Sequence, residues 1–184
     1  MSEEHIYRWR GLDPSSLEVL RVQETSGGIS AHSTLSINED PAFAVSYEWQ
    51  LDASWRTVWL RIRLEGEDER DMLIERTGDA SWTVDGIERD DLDGCDEVDL
   101  SITPFCNTLG MKRVAGEGEL TALYVTFPDL ALQPSRQRYE RITTRAYRYV
   151  DLGAAAGFEA RLEVDVNGIV TRYEGLFEAL PEPL

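Results

Sequence analysis

The sequence predicts a mainly antiparallel all-β fold, and three features of the chain favour it. Apolar and polar residues alternate strictly over several segments, which is the pattern of half-buried strands. Turn-forming pairs such as Asn167-Gly168 separate some of these segments. Helical periodicity is scarce along the whole chain. We therefore expect about ten strands and one short helix.

The alternation is clearest over residues 43–51, where every second side chain is apolar. The residues that share this face are Phe43, Val45, Tyr47, Trp49 and Leu51. Residues 57–64 repeat the pattern, and the segment 52–55 between the two strands suits a hairpin turn. These two strands are predicted to pair as an antiparallel hairpin.

A second hairpin is predicted near the C-terminus, where residues 158–166 alternate before Asn167-Gly168. Asn-Gly between two strands is the strongest short hairpin signal. Less regular strands are expected over residues 17–25, 29–37, 72–76, 82–85, 120–127 and 139–150. Ser15 and Glu18 have the spacing of a capping box, but the β-rich residues that follow favour a strand there.

The predicted helix covers residues 103–110. Thr103 suits the N-cap and Pro104 suits the first helical position. Gly110 is able to end the helix with a positive φ.

A sheet with so little helix to cover it would leave long edges and a bare face if it stayed open and flat. We therefore expect it to curl into a spiral β-roll or partial barrel, as a single domain over residues 1–184. Such a roll either fills its interior with side chains or encloses a ligand cavity.

The composition excludes some partners. The chain has 184 residues and a formal net charge of -17, which disfavours binding along a nucleic-acid backbone and repels an anionic membrane. The N-terminus has no basic and apolar signal segment, and no apolar run reaches the length of a membrane span. The sequence predicts a cytoplasmic protein with Cys95 and Cys106 as free thiols. It does not indicate an oligomeric state.

No metal site is predicted. The acidic run over residues 85–99 fails as a calcium-binding EF-hand loop, because Arg89 and Leu100 fall at ligand positions. A solvated, turn-rich loop is the favoured interpretation. His5 and His32 are too far apart in sequence for a recognised zinc motif.

No cofactor or catalytic residue is predicted either. The chain has no G-x-S-x-G motif, and a cysteine nucleophile would need His32 brought close by the fold. The Gly116-Glu117-Gly118 segment is only a fragment of a phosphate loop, with acidic neighbours. Paired carboxylates of the glycosidase type stay open, because acidic residues are so abundant.

Residues 133–150 concentrate arginines in an otherwise acidic chain. Read as one strand, this segment would place Tyr139, Arg141, Thr143, Arg145, Tyr147 and Tyr149 on one face. Aromatic rings beside guanidinium groups suit an amphiphilic ligand. The structural alternative is a surface strand whose arginines neutralise the Asp-rich loop.

Residues 81–114 carry a resemblance to a known family. The residues that carry it are Trp82, Val84, Asp85, Gly86, Leu92, Gly94, Cys95, Asp96, Val98, Asp99, Leu100, Thr103, Pro104, Asn107, Thr108 and Leu109. Residues 139–149 and 165–177 add to it. On these residues the chain resembles the bacterial glycolipid-binding family, previously a domain of unknown function. It departs from the family at Cys106 and Gly110, where Thr and Pro are common.

The resemblance implies a β-rich roll similar to the curved half-barrels of lipoprotein carriers, with an apolar cavity for a lipid or glycolipid. We therefore predict a soluble, non-enzymatic binding protein. The apolar row of residues 43–51 would cover the acyl part, and Asp85 and Asp99 would hold the loop beside the helix. The predicted ligand-binding residues are Tyr47, Trp49, Trp82, Asn107, Tyr139, Arg145 and Tyr147.

Two other functions are open at this stage. An enzyme acting on a small amphiphile would need a cavity residue with a displaced pKa, for example Asp99 or Tyr147. A protein-interaction module would have a filled core and an exposed aromatic patch, for example around Trp59.

Overall fold

Strands make up most of the protein in the computed structural model, which describes residues 3–66 and 69–181. The strands are β1 (Glu3–Leu12), β2 (Ser15–Thr25), β3 (Gly28–Asn38), β4 (Phe43–Leu51), β5 (Thr57–Glu65), β6 (Arg70–Arg76), β7 (Trp82–Val84), β8 (Ile87–Glu88), β9 (Glu97–Leu100), β10 (Gly118–Val125), β11 (Leu132–Thr143), β12 (Ala146–Asp151), β13 (Glu159–Val164), β14 (Val170–Tyr173) and β15 (Phe177–Ala179). One α-helix, α1, spans Phe105–Arg113, and a 3₁₀ turn spans Asp90–Leu92. The all-β prediction with one short helix is confirmed.

The described chain divides into two compact units. The first unit contains β1 to β6, β8 and β15, in the strand order β8-β7-β6-β5-β4-β3-β2-β1-β15. The second contains α1 and β9 to β14, in the order β14-β13-β12-β11-β10-β9. Strand β7 starts with Trp82 in the second unit and continues in the first. The single domain and the curled roll stay predictions.

The first unit is an antiparallel meander whose hairpin β4–β5 follows the sequence prediction. Tyr47 pairs with Ile62, and the carboxylate of Asp52 accepts the backbone N–H of Ser54 and of Arg56 at 2.8 and 3.0 Å in the turn. The apolar row of β4 is buried along its whole length. The alternation of apolar and polar residues therefore predicts this unit well, since one face of each strand must be buried.

In the second unit, α1 connects two parallel strands. β9 and β10 pair in parallel, and parallel neighbours need a crossover connection. The helix supplies it and packs against β9, β10 and β14. Its first turn is stabilised by Thr103, whose Oγ1 accepts the N–H of Phe105 at 3.2 Å. The helix begins one residue later than predicted, with Pro104 in place of Thr103 as its N-cap.

The predicted end of this helix at Gly110 is wrong, because the helix continues to Arg113. Gly110 lies inside it, where a Cβ would come within 2.5 Å of the Tyr139 hydroxyl oxygen. The glycine is therefore required by the close approach of a tyrosine and not by a helix-ending turn.

The predicted strand over residues 139–150 is also wrong in its length. β11 ends at Thr143 and β12 begins at Ala146. The N–H of Arg145 donates to Thr143 Oγ1 at 3.2 Å, a local side-chain bond that favours a turn over a continued strand. The chain reverses there, so that Tyr139 pairs with Tyr149 across the hairpin.

The C-terminal hairpin is confirmed. The turn at Asn167-Gly168 joins β13 to β14, with Gly168 at a φ of +80°. The N–H of Gly168 donates to the Asp165 carbonyl oxygen at 3.2 Å. Within the described ranges, no helix is long and apolar enough to cross a bilayer. Cys95 and Cys106 are buried and form no disulfide.

Candidate functional site

The second unit holds a group of polar side chains among apolar neighbours. It draws on β9, α1, β11 and β12, and we refer to it as the Asp99 cluster. Its members are Asp99, Asn107, Gln137, Tyr139, Tyr149 and Asp151. Strand register brings them together, because Gln137 pairs with Asp151 and Tyr139 with Tyr149. Residues paired across two strands share one face of the sheet.

A directed chain of hydrogen bonds runs through this cluster towards Asp99. Asn107 Nδ2 donates to the Tyr139 hydroxyl oxygen at 3.2 Å, and that hydroxyl donates to Gln137 Oε1 at 3.2 Å. Gln137 Nε2 in turn donates to Asp99 Oδ2. Bonds that share a direction polarise one another, so the chain favours a fixed geometry at the carboxyl group.

Burial raises the pKa of Asp99 to about 6. Hydrogen bonds from Gln137 and Cys106 oppose this shift, and the negative charge of Asp151 adds to it. Burial dominates because an ionised carboxylate loses hydration that few neighbours replace. Asp99 is half-buried and pairs in register with Tyr124, which is also half-buried. Asp99 is therefore the member through which the cluster reaches solvent, since the other members are buried.

Asp151 supplies the second carboxylate of the cluster. Its Oδ2 accepts the Tyr149 hydroxyl at 3.2 Å. Its Oδ1 accepts the backbone N–H of Gly153 at 2.7 Å and of Ala155 at 3.0 Å. A carboxylate that accepts several hydrogen bonds is held in place.

Aromatic rings surround the carboxylates. The ring centroids of Tyr139 and Tyr149 lie 5.5 Å apart, and those of Tyr149 and Tyr173 lie 5.8 Å apart. Phe158 joins the group at 6.3 Å from both Tyr149 and Tyr173. Burial raises the pKa of Tyr139, Tyr149 and Tyr173, and the Asp99 charge adds to each shift. The phenols are therefore protonated at neutral pH, and those of Tyr139 and Tyr149 donate to Gln137 and Asp151.

This arrangement offers carboxylate acceptors, amide and phenol donors, and aromatic faces within one group. Molecules with several hydroxyls and an apolar body match that combination, because hydroxyls both donate and accept.

The amino-acid sequence matches the model of a family described as "Putative glycolipid-binding" over residues 6–179. The chain belongs to this family. A crystal structure of a DUF1089 family protein from Pseudomonas aeruginosa is similar to it, with a TM-score of 0.80 and 30% sequence identity. The similarity covers 90% of this chain and 92% of that chain. No protein of curated function matched the sequence.

Two of the sequence-predicted binding residues, Tyr47 and Trp49, are in the core of the first unit. Each is 1% exposed. The Tyr47 hydroxyl donates to Glu18 Oε1 at 2.8 Å, and Trp49 Nε1 donates to Thr57 Oγ1 at 2.7 Å. These contacts satisfy buried polar groups, as a closed core requires.

Three further predicted residues lie in the second unit but outside the Asp99 cluster. Trp82 is buried, and its Nε1 donates to the Cys95 carbonyl oxygen at 3.1 Å. Tyr147 is buried on β12, with the guanidinium carbon of Arg141 5.6 Å from its ring centroid. Arg145 is exposed in the β11–β12 turn. Arg145 therefore leaves the predicted face at the turn, whereas Tyr139 and Tyr147 share a face of the hairpin, since Tyr139 pairs with Tyr149 and Arg141 with Tyr147.

Arg136 and Arg148 pair with glutamates on neighbouring strands, not with the Asp-rich loop. Arg136 binds Glu119 at 2.9 Å, and Arg148 binds Glu159. Asp85 also differs from its predicted role. Its Oδ1 accepts the N–H of Leu73 at 2.8 Å, so it ties the β7–β8 turn to β6.

Two open cavities lie on the polar surface of the first unit. One, of about 150 Å³, is lined by His32, Ser33, Ser46, Tyr47, Glu48, Arg61 and Arg63. The other, of about 360 Å³, is lined by Arg63, Leu64, Glu65, Glu69, Arg70 and Asp71. Apart from Leu64, all of these lining residues are polar or charged, so neither is the apolar cavity that the resemblance implies. Among the described residues, no group of three or more His, Cys, Asp or Glu side chains is placed to hold a metal ion.

The sequence prediction found Asn107 and Tyr139 but missed Gln137 and Asp151. A signal for both was present, since each is a polar residue at an inward position of a strand. Gln137 lies two positions before Tyr139, and Asp151 lies two positions after Tyr149, so each shares a strand face with its tyrosine. Reading residues 139–150 as one strand hid the fact that the two pairs face each other.

Proposed function

We propose that this protein binds a sugar-headed amphiphile without chemical change, and that the polar head lies against the Asp99 cluster. The observation that carries the proposal is the half-buried carboxyl group of Asp99, placed at the end of the hydrogen-bond chain and beside Tyr124. A carboxyl group in this position costs folding free energy when it ionises, which indicates a use beyond stability.

The chemistry of the cluster suits sugar hydroxyls. Asp99 accepts hydrogen bonds, and Gln137 presents an amide that both donates and accepts. The ring of Tyr124, half-buried beside Asp99, offers an apolar face for the C–H surface of a sugar ring. Of the seven binding residues predicted from sequence, Asn107 and Tyr139 are retained in this proposal.

Family membership supports a lipid-like tail on the ligand. Phe158 extends the aromatic group from Tyr149 and Tyr173 towards the surface and is 37% exposed. We assign the tail to this side of the cluster, because it is the apolar side that water reaches.

Calorimetric titration with dodecyl maltoside below its micelle concentration tests the proposal. Dodecylphosphocholine is the matched ligand, with the same chain and no sugar. We expect the maltoside to bind about tenfold more tightly, since several hydroxyl bonds are lost in the other ligand. Asp99→Asn should weaken maltoside binding about fivefold, whereas Glu117→Gln, which removes an exposed charge of the same unit, should not. Equal affinity for the two ligands would refute the assignment.

Acid–base catalysis at the same site is the second candidate, favoured by the pKa of Asp99 near 6. A general acid works best with a pKa near the working pH. Hydrolysis of a nitrophenyl glycoside with a pH–rate inflection near 6, lost in Asp99→Asn, would establish it. Turnover equal in the wild type and the variant would exclude Asp99 as the catalytic group.

A further inference from the structure

The segment between β12 and β13, residues 152–158, is a surface loop without a charged or polar side chain. Its sequence is Leu-Gly-Ala-Ala-Ala-Gly-Phe, and all residues after Leu152 are exposed. Charged residues make up 29% of the chain. Surface loops usually carry Asn, Asp, Ser or charged residues, because these bond to water. We refer to this segment as the 152–158 loop.

Backbone geometry explains the glycines of this loop but not its alanines. A Cβ at Gly153 would lie 2.5 Å from Ser135 Oγ, and Gly157 has a φ of +98°. Both positions therefore require glycine. Residues 154–156 are exposed and carry methyl groups where solvent would accept a polar side chain.

Every backbone N–H of the loop donates to an acceptor within the protein. The acceptors for residues 152 to 158 in order are Arg136 O at 2.8 Å, Asp151 Oδ1 at 2.7 Å, Ser135 Oγ at 2.9 Å, Asp151 Oδ1 at 3.0 Å, Gly153 O at 3.2 Å, Asp151 O at 3.1 Å and Ala155 O at 2.9 Å. An exposed loop in water has no need of this, since water satisfies free N–H groups.

Internal hydrogen bonding of every N–H group matters where water is absent. An N–H group without a partner costs several kcal/mol in a hydrocarbon layer. The 152–158 loop meets this requirement for all of its N–H groups, and its carbonyl oxygens at residues 153, 155 and 158 also accept backbone N–H groups. Phe158 lies at the end of the loop and supplies the aromatic ring that often anchors a protein at the lipid–water boundary.

We propose that the 152–158 loop docks this protein onto an uncharged or zwitterionic lipid surface. The net charge of -17 repels an anionic surface, so the partner is a bilayer with little net charge.

Asp151 connects this surface to the Asp99 cluster. One of its oxygens holds the amides of Gly153 and Ala155, and the other accepts the Tyr149 hydroxyl. A docked loop would therefore place the cluster beside lipid head groups. Binding of a lipid head group by the cluster rests on the proposed function, whereas docking of the loop on a lipid surface does not require a sugar.

Flotation with phosphatidylcholine vesicles that contain no glycolipid tests the docking. We expect wild-type protein to float with these vesicles and to bind less to vesicles rich in phosphatidylglycerol. Ala155→Asp and Ala155→Lys should each lower the floated fraction about fivefold, whatever the sign of the new charge, because both place a charge in the apolar layer. Ile87→Asp is the matched control. It places a charge at another exposed apolar residue, 68% exposed in the first unit, and should leave flotation unchanged.

Three results would overturn the proposal. They are no flotation of the wild type, an equal loss in Ile87→Asp, or binding to phosphatidylglycerol vesicles alone. Maltoside titration of the wild type keeps the two proposals distinct, since it requires no lipid surface. If the wild type binds the maltoside but ignores phosphatidylcholine vesicles, the docking fails and the proposed function stands.

Discussion

Tyr139 packs directly against the backbone of Gly110, with its hydroxyl oxygen 2.5 Å from the position that a Cβ would take. This contact brings α1 close enough to β11 for Asn107 to reach the same hydroxyl. The glycine thus sets the distance between the helix and the polar cluster. Its lack of a side chain is a requirement of the site and not of a turn.

Gly110→Ala should destabilise the protein by about 1–2 kcal/mol. Alanine favours a helix interior by about 1 kcal/mol over glycine, but forcing a methyl group against a buried, hydrogen-bonded tyrosine costs more. Chemical denaturation measures the difference. A variant more stable than the wild type would show that Tyr139 moves away without cost.

The raised pKa of Asp99 predicts a pH-dependent stability. The folded state holds this proton more tightly than the unfolded state, so stability is lost as the pH rises from about 4 through about 6. The loss is on the order of 3 kcal/mol, from a shift of about two pKa units. The substitution Asp99→Asn should remove this pH-dependent loss of stability. The difference in unfolding free energy between variant and wild type should grow from pH 4 and level off above pH 7.

Glu117→Gln serves as the control for that comparison, because Glu117 is exposed in the same unit. Its difference from the wild type should not follow this pH profile. A difference for Asp99→Asn that stays constant with pH would contradict the raised pKa.

Asp151→Ala should loosen the 152–158 loop. The amides of Gly153 and Ala155 lose their shared acceptor, at a cost of about 2–4 kcal/mol for two bonds to a charged group. Hydrogen exchange should become at least about tenfold faster at both amides. Asp151→Asn keeps an oxygen in place and should leave them largely protected. Unchanged exchange in Asp151→Ala would show that the carboxylate does not hold the loop.

Tyr47→Phe and Tyr139→Phe form a matched pair that separates a core tyrosine from a cluster tyrosine. Each removes one buried hydroxyl and should lower the free energy of unfolding by about 1–2 kcal/mol. Only Tyr139→Phe should weaken binding of dodecyl maltoside. If Tyr47→Phe weakened binding equally, the first unit would have to take part in ligand binding.

Strand alternation made much of the fold predictable. Residues 43–51 show why, since one face of β4 is apolar throughout and must be buried. The β11–β12 hairpin was not predictable in this way, because Thr143 and Arg145 continue the alternation of the segment. Only the local bond between them and the pairing of the two strands reveal the turn.

The candidate site was predictable only in part for the same reason. Asn107 and Tyr139 stood out by residue type and position. Gln137 belongs to the site because its amide donates to Asp99, which is 38 positions away in sequence. Such contacts depend on which strands pair, and β9 meets its partner only through the crossover helix. Arg145 was predicted because of its charge, but it lies exposed in the β11–β12 turn, away from the buried cluster.

The central claim is that a sugar head lies at the Asp99 cluster, and NMR of side-chain amides tests it most directly. Titration with dodecyl maltoside should shift the amide signals of Gln137 and Asn107 and saturate at one ligand per protein, with dodecylphosphocholine producing much smaller shifts. Shifts confined to the first unit around His32 and Arg61, with Gln137 and Asn107 unmoved, would contradict the account and place the ligand in the polar cavity between β3 and β5.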